Sequence, residues 1–447
     1  DLPEHDFGGD DWLDRRAFMA DLRAELWAIE RHAFRRNPDS WASGAIGSIH
    51  HHVTRNADDL TPVADAILSR LKKLPAYLEG ASEILHTPIP VWRKMALSSC
   101  EGAPSLFDAI VEPLAKTGRA SREKIEKLAK NAKSAFANYA KHVARIKPGA
   151  PNDFAVGSLR FEALCRERMG WDLTVSEAEA MGKTLAARIG AEMEIEAKKF
   201  SPKKGAHEIL AEAAENWKPE RGDLLSEYQY QTQRVRDAFK EHDLVTFPPG
   251  ERLEVKPVPD FMRQHFPTAA YSSPGAYDAD QLGIFWVNDL SLIRNTQKEK
   301  DAEIRQHHGL SATCAHEAYP GHHLQFCTAN RHPSKLRRLF AHAVFYEGWT
   351  LWCEQMTVDY KVNEEPTAKL NQLNDALWRA HRILIDCGLQ TGKMSYDDGV
   401  KHLIKNVGFT RGRAEADVNW YTMSPTTPMS YLLGRTELLR LKKKKVD

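Results

Sequence analysis

Metal-ligating and proton-transferring side chains gather in one run of ten residues, Cys314-Ala315-His316-Glu317-Ala318-Tyr319-Pro320-Gly321-His322-His323. The pair His316-Glu317 opens it in the manner of helical zinc sites, where two histidines four apart share a face and a Glu follows the first. Four residues turn a helix by ~400°, so such side chains lie ~40° apart and can reach one ion. Here the fourth position after His316 is Pro320, not His. On a straight helix His322, six residues on, would point ~120° away. Proline removes a backbone hydrogen bond and glycine tolerates a kink, so a break at Pro320-Gly321 can swing His322 back towards His316. Without the break, His323 shares the face of His316 but lies ~10.5 Å along the axis, a poor span for tetrahedral zinc. His322 is the preferred second ligand, and His323 the alternative.

A third ligand is expected from a later helix. Glu347 stands among apolar and aromatic residues, Ala343-Val344-Phe345 before it and Trp349 and Trp352 after it. A carboxylate buried there must be paired or bound to a cation. Gly348 costs a helix interior about 1 kcal/mol, which predicts close approach by another element. Glu354, one heptad further, suits a partner that orients a ligating histidine; His323, if it does not ligate, falls to the same supporting role. The plainer alternative is that His316, His322 and Glu347 are scattered polar residues of a helical bundle.

Other signals are weaker. Consecutive side chains diverge, so His50-His51-His52 reads as surface or capping residues, and His307-His308 as the entry to the motif helix. No phosphate-binding glycine loop, nucleophile elbow or dinucleotide fingerprint occurs. The 62 basic residues against 61 acidic ones leave a formal net charge of +1, with no field to gather nucleic acid or an anionic membrane. The Lys442 to Lys445 run reads as a solvated tail. No segment approaches the ~18 apolar residues of a membrane helix. None of the six cysteines falls in a two-residue-spaced pair, so buried thiols are expected rather than a zinc ribbon or redox motif. The chain starts at Asp1 rather than Met, as a trimmed or processed chain would; a cytoplasmic location is the working expectation.

The elements that must position these residues are mostly helices. The chain has 447 residues, 42% of them hydrophobic, enough for a sizeable core. Over residues 1–245, helical spacing recurs at Phe18, Leu22, Leu26 and Ile29, at Val63, Ile67, Leu71, Leu74 and Leu78, and at Leu185, Ile189 and Met193,. The Lys/Glu/Ala-rich stretch from Arg119 to Ala137 predicts an exposed helix. Residues 246–290 form a proline-rich segment (Pro248, Pro249, Pro257, Pro259, Pro267, Pro274) with strand candidates Leu253-Glu254-Val255 and Ile284-Phe285-Trp286-Val287,. Motif helices over 311–361 and C-terminal helices over 365–447 complete a metal-binding half, 246–447, and the two halves are expected to form one continuous fold.

Two strings, His-Glu-Ala-Tyr-Pro-Gly-His-His-Leu-Gln from His316 to Gln325 and Glu-Gly-Trp-x-Leu-x-x-Glu from Glu347 to Glu354, resemble the domain of unknown function 885 (DUF885) family. That family is predominantly bacterial and similar to helical zinc metallopeptidases. Arg379-x-x-Arg382-x-x-x-Asp386-Cys387-Gly388-Leu389, Ser430-Tyr431-x-x-Gly434, Pro257-Val258-Pro259 and Asn288 also fit, so the resemblance spans essentially the whole chain. It implies a mainly α, zinc-metallopeptidase-like architecture with a small β-sheet at the edge of an active-site cleft. It also implies one Zn2+ on His316, His322 and Glu347, with Glu317 as catalytic base. Three ligands and an open position lower the pKa of bound water towards ~7, and Glu317 can pass its proton to a leaving amine. Tyr431 and Tyr346 are candidates to steady the oxyanion. Arg379 or Arg382 is a candidate clamp for a substrate carboxylate, unless it is tied up structurally, for instance with Asp386.

Three positions depart from the family pattern. Gln390 replaces a His, Trp420 in Asp417-Val418-Asn419-Trp420-Tyr421 replaces an Arg, and Pro425-Thr426-Thr427 replaces Pro-Gly-Gln. Trp420, Tyr421, Thr427 and Tyr431 are expected to line the cleft, which would then favour a less acidic, more apolar ligand. The resulting expectation is a zinc-dependent hydrolase of an amide or peptide bond, acting on a small molecule or short peptide, with no nucleic-acid or membrane partner; a homodimer is one admissible assembly. The rivals are a metal-dependent non-peptidase enzyme with a rebuilt pocket, and a non-catalytic helical scaffold. Retention of Glu317 argues against the scaffold, which has no use for a base.

Overall fold

The computed structural model describes residues 8–259, 263 and 268–446; Pro267 lies outside the described residues. The chain is mainly helical with one three-stranded sheet. Its contacts divide it into two compact units, one of Glu25–Phe154 with Val258–Pro267, the other of Asp1–Ala24, Ala155–Pro257 and Thr268–Asp447. These boundaries fall elsewhere than the sequence halves 1–245 and 246–447. The reason lies in the helix Val175–Ala197, whose Leu185, Ile189 and Met193 share one core with Leu377, Ala380 and Ile383 of the helix Ala368–Gln390. Much of the N-terminal sequence thus supports the metal-binding half.

In the smaller unit, helix Ala64–Ile84 buries Ile67, Leu71, Leu74 and Leu78, the stripe read from the sequence. The Lys/Glu/Ala-rich helix begins at Arg122, where Ser121 caps the Lys124 amide, and it buries Ile125, Ala129, Ala132 and Phe136 along one face. The N-terminal helix Gly9–Glu30, assigned to the larger unit as far as Ala24, forms, but Leu22, Leu26 and Ile29 remain 39–58% exposed. Helical spacing marked that element correctly and its buried face wrongly.

In the larger unit the strands are β1 (Glu251–Pro257), β2 (Ala269–Ser272) and β3 (Gln281–Val287), in the order β1-β3-β2. β1 runs parallel to β3 with Val255 opposite Phe285, and β2 runs antiparallel with Tyr271 opposite Phe285. The central strand buries Ile284 to Val287, as its continuous apolar run requires. Phe285 and Val287 pack with Leu310, Cys314, Ala318 and Leu324, so the sheet backs directly onto the histidine motif. All six cysteines are free and buried. Among the described residues no helix is long and apolar enough to cross a membrane.

Candidate metal centre

The motif is two helices and a reversal. The first helix, Leu310–Glu317, ends at Glu317, and the second, His322–Ala329, starts after the four residues that intervene. Pro320, with no N–H, cannot continue the first helix. Gly321 then lies so close to the carbonyl oxygens of His316 and Ala315 that any Cβ there would overlap them. The Trp349 indole donates to the Pro320 carbonyl at 2.7 Å and fixes the reversal from the neighbouring helix Ala343–Asp359. The consequence is geometric: the His316 and His322 rings meet edge to face, centroids 4.9 Å apart.

Glu347, from the helix Ala343–Asp359, completes the group. Its Oε2 lies 3.6 Å from His316 Nε2 and 3.7 Å from His322 Nε2, and the three donor atoms all fall within 4.8 Å of one another. Tetrahedral ligands at ~2.0–2.2 Å from an ion stand ~3.4 Å apart. The Glu347 Oε2 is buried without a hydrogen-bond partner, an arrangement that is costly unless a cation supplies the missing interaction. These residues fit a divalent cation.

The groups around the cluster set its protonation. Glu354 Oε1 lies 2.7 Å from His316 Nδ1 and turns the ring so that Nε2 faces Glu347, the carboxylate–histidine arrangement common behind metal ligands. Burial pulls the His316 imidazolium down, but Glu347 and Glu354 outweigh it and push it up to about 10. Burial and the charge on His316 bring His322 down to about 4. A cation taken up by this cluster would therefore expel the proton on His316 Nε2. Because proton and metal compete for one atom, affinity should rise with pH through the neutral range, close to tenfold per unit. A chelator-competition titration at several pH values checks this; a pH-independent affinity would mean that the ion does not sit on His316.

Glu317 closes the first motif helix and is half-buried. Burial pushes its carboxyl up to about 6, with the His316 cation opposing and Glu347 and Glu354 adding to the rise. It is thus ionised near neutrality yet basic enough to accept a proton.

His323 does not join the cluster. Its ring is fully buried and faces the sheet, with Nε2 2.9 Å from Glu251 Oε2 on β1 and Nδ1 3.0 Å from the Tyr271 hydroxyl on β2. Both the alternative-ligand and the ligand-orienting roles are corrected, because adjacent helical residues diverge by ~100° and His322 takes the metal side. His323 instead locks the second motif helix to the sheet. Glu251 also accepts from Tyr319 at 2.7 Å and pairs with Arg236 at 3.0 Å. Burial would raise its carboxyl, but His323, Tyr319 and Arg236 hold it down at about 2. Glu251→Gln should cost ~2–3 kcal/mol in urea unfolding at neutral pH. The wild-type advantage is present above the ordinary Glu range near ~4.3 and disappears as pH falls towards 2. An equal loss at every pH would refute the ionic account.

The remaining candidates divide. Gly348 meets the C-terminal helix Thr427–Val446 at Gly434: a Cβ on Gly348 would stand 2.5–2.7 Å from the backbone of Gly434 and Arg435, and one on Gly434 would overlap the Val344 carbonyl. This glycine-on-glycine crossing is the close approach that Gly348 foreshadowed. It sets Tyr431, on the C-terminal helix, beside the helix that carries Glu347. Tyr346 packs its ring 5.9 Å from His322. Phe326, stacked on His322 at 5.7 Å, also lines a cavity of about 550 Å³ with Gln325, His342 and Phe345.

Arg379 is committed elsewhere, 3.2 Å from Asp375 and 3.7 Å from Glu354. Asp386 is not the partner of either arginine; it accepts from the Thr426 amide at 2.9 Å. Tyr421 cannot line a cleft, because it is wholly buried. Its hydroxyl accepts from Arg382 Nε at 2.8 Å and Trp378 Nε1 at 3.2 Å and donates to Asp417 at 2.9 Å. Gln390, where the family pattern has His, donates to the Tyr421 carbonyl at 2.9 Å. Trp420 is half-buried, 5.2 Å from the Arg382 guanidinium. Thr427 opens the C-terminal helix, its amide bonded to the Ser424 carbonyl at 3.1 Å. Sequence reading missed Glu251, Tyr271 and Trp378; only Trp378, one position from Arg379, carried any local signal.

Residues 2–446 match a family described as "Bacterial protein of unknown function (DUF885)". No curated protein matches the chain. Two solved structures share the fold. One, a "putative lipoprotein of unknown function" from Shewanella oneidensis, aligns over 99% of this chain and 83% of its own, with TM-score 0.76 and 20% identity. The other, a "putative lipoprotein" from Colwellia psychrerythraea, aligns over 85% and 69%, with TM-score 0.66 and 19% identity.

Proposed function

The chain belongs to this bacterial DUF885 family, and we propose that it is a zinc-metallopeptidase-like hydrolase that cleaves an amide or peptide bond of a small substrate. The observation that carries the reading is the convergence of His316 Nε2, His322 Nε2 and the unpartnered Glu347 Oε2, with Glu317 next in sequence. A divalent ion held by these three, zinc by its preference for such donors, would acidify a water and polarise the scissile carbonyl. Glu317 accepts the proton as the water oxygen adds to the carbonyl carbon, then delivers it to the amine nitrogen as the C–N bond breaks. The products are a carboxylic acid and an amine. Tyr431 and Tyr346, whose hydroxyls burial keeps protonated, are the donors available to the oxyanion. Glu354 holds His316 in the tautomer that leaves Nε2 free.

A second reading, a metal-dependent enzyme on a small molecule other than a peptide, draws on Gln390 and Trp420, which shape the wall around Tyr421 and Arg382. The lipoprotein description of both solved relatives supports a cell-envelope location for this chain over the cytoplasmic one expected from its sequence. The test is elemental analysis of chelator-free protein, followed by a screen of short peptides and N-acyl amino acids with and without chelator. About one equivalent of zinc and chelator-sensitive hydrolysis are expected. Metal below about a tenth of an equivalent, with none taken up on addition, would sink the proposal; metal without hydrolysis of any amide favours the second reading.

A further inference from the structure

Arg382 is a buried cation whose ion pair, with Asp417, is a long one. Its side chain is 6% exposed, and the nearest carboxylate oxygen in an ion pair, Asp417 Oδ1, stands at 3.9 Å. The other Asp417 oxygen already takes the Tyr421 hydroxyl proton. Four aromatic rings surround the guanidinium instead: Trp378 at 4.0 Å, Tyr431 at 4.7 Å, Trp420 at 5.2 Å and Tyr421 at 5.5 Å. Nε is used on Tyr421, while Nη1 is buried with no hydrogen-bond partner. Aromatic faces offset part of the desolvation of a cation, but they leave a planar N–H unsatisfied, and a carboxylate is the group that matches a guanidinium best.

The position of this loosely paired cation matters. Tyr431 links it to the candidate centre, with its ring against Arg382 and its helix crossing that of Glu347 at Gly434 and Gly348. One or two residues of a peptide, at ~3.8 Å per Cα step, span one tyrosine side chain. Arg379 lies on the same helix, one turn away, but Asp375 and Glu354 neutralise it. The two arginines are therefore not equivalent.

We propose that Arg382 receives a carboxylate of the substrate, so that the enzyme acts on an amide lying one or two residues from a free carboxyl terminus, as in an N-acyl amino acid or a short peptide. This rests on the hydrolase reading for what the carboxylate belongs to, not for its binding. The aromatic wall that includes Trp420 then selects an apolar side chain beside the carboxylate, in place of the acidic discrimination that a second arginine at position 420 would give.

Calorimetric titration of the zinc-loaded full chain with N-acetylphenylalanine and with N-acetylphenylalaninamide tests this without requiring turnover. The acid should bind at least ~10-fold more tightly than the amide. Arg382→Gln should erase that difference and Arg382→Lys should restore part of it, with zinc content unchanged in both. Equal binding of acid and amide to the wild type overturns the proposal, even if no variant folds. A preference for the acid that survives Arg382→Gln also overturns it, because the carboxylate would then be on the metal. An Arg382-dependent preference with no hydrolysis of any amide would sustain this inference while the hydrolase reading fell.

Discussion

Glu317→Gln should retain its metal and lose turnover by at least ~10²-fold. Glutamine keeps the volume and one hydrogen-bonding oxygen at the end of the first motif helix, so the reversal through Pro320 and Gly321 is undisturbed. The side chain is none of the three converging donors, so its loss leaves His316, His322 and Glu347 in place. What disappears is the proton acceptor. The pH profile offers an independent check: burial raises the Glu317 carboxyl to about 6, and a base must be deprotonated, so kcat/KM should fall as pH drops through and below that value. A bound cation beside it moves the inflection lower, never higher. A Glu317→Gln enzyme with near-normal turnover would refute a Glu-assisted water.

The second large effect is structural. Gly434→Ala should destabilise the protein by ~3 kcal/mol or more, because the added methyl overlaps the Val344 carbonyl and neither backbone can move alone,. Zinc content should fall with it, since Glu347 lies three residues beyond Val344 on the displaced helix. Gly190→Ala is the control. That glycine lies within the helix Val175–Ala197, and a Cβ added to it would meet nothing within 4 Å, so alanine there should stabilise by ~0.5–1 kcal/mol. Denaturant midpoints of the two variants should move in opposite directions. A cost below about 1 kcal/mol for Gly434→Ala would mean that the two helices do not cross at these glycines.

The pairing of His316 with His322 was legible because the intervening residues are of types that break helices, and a break was the one way to reconcile the spacing with a shared ion. Gly348 was legible for a similar reason: a costly residue in an apolar helix needs a compensating contact. Glu251 was not, because its partners His323 and Tyr319 lie some seventy residues away and a Glu at a strand start looks like surface. β2, only Ala269–Ser272, lacks both alternation and a continuous apolar run. Tyr421 was misread because the aromatic-rich C-terminal segment says nothing local about which ring faces inward; the hydroxyl's three partners, on Arg382, Trp378 and Asp417, decide it. Leu22, Leu26 and Ile29 show the same limit from the other side, since a stripe specifies a helix without specifying what covers it.

The crossing of Gly348 and Gly434 also governs how the molecule can breathe. Where two helices touch backbone to backbone, no side chain is available to change rotamer and absorb a displacement, so they travel together or separate at the cost of the whole contact. Glu347 and Tyr431 ride on those two helices, and their spacing is preserved through motions of the rest of the unit. On the hydrolase reading, entry and exit would use segments without such a seam. The stretch Phe340–His342, non-helical between Lys335–Leu339 and Ala343–Asp359 and lining the cavity beside Phe326, is placed for that duty. On a microsecond-to-millisecond scale, relaxation measurements should find exchange broadening there and a quiet Gly348–Gly434 contact.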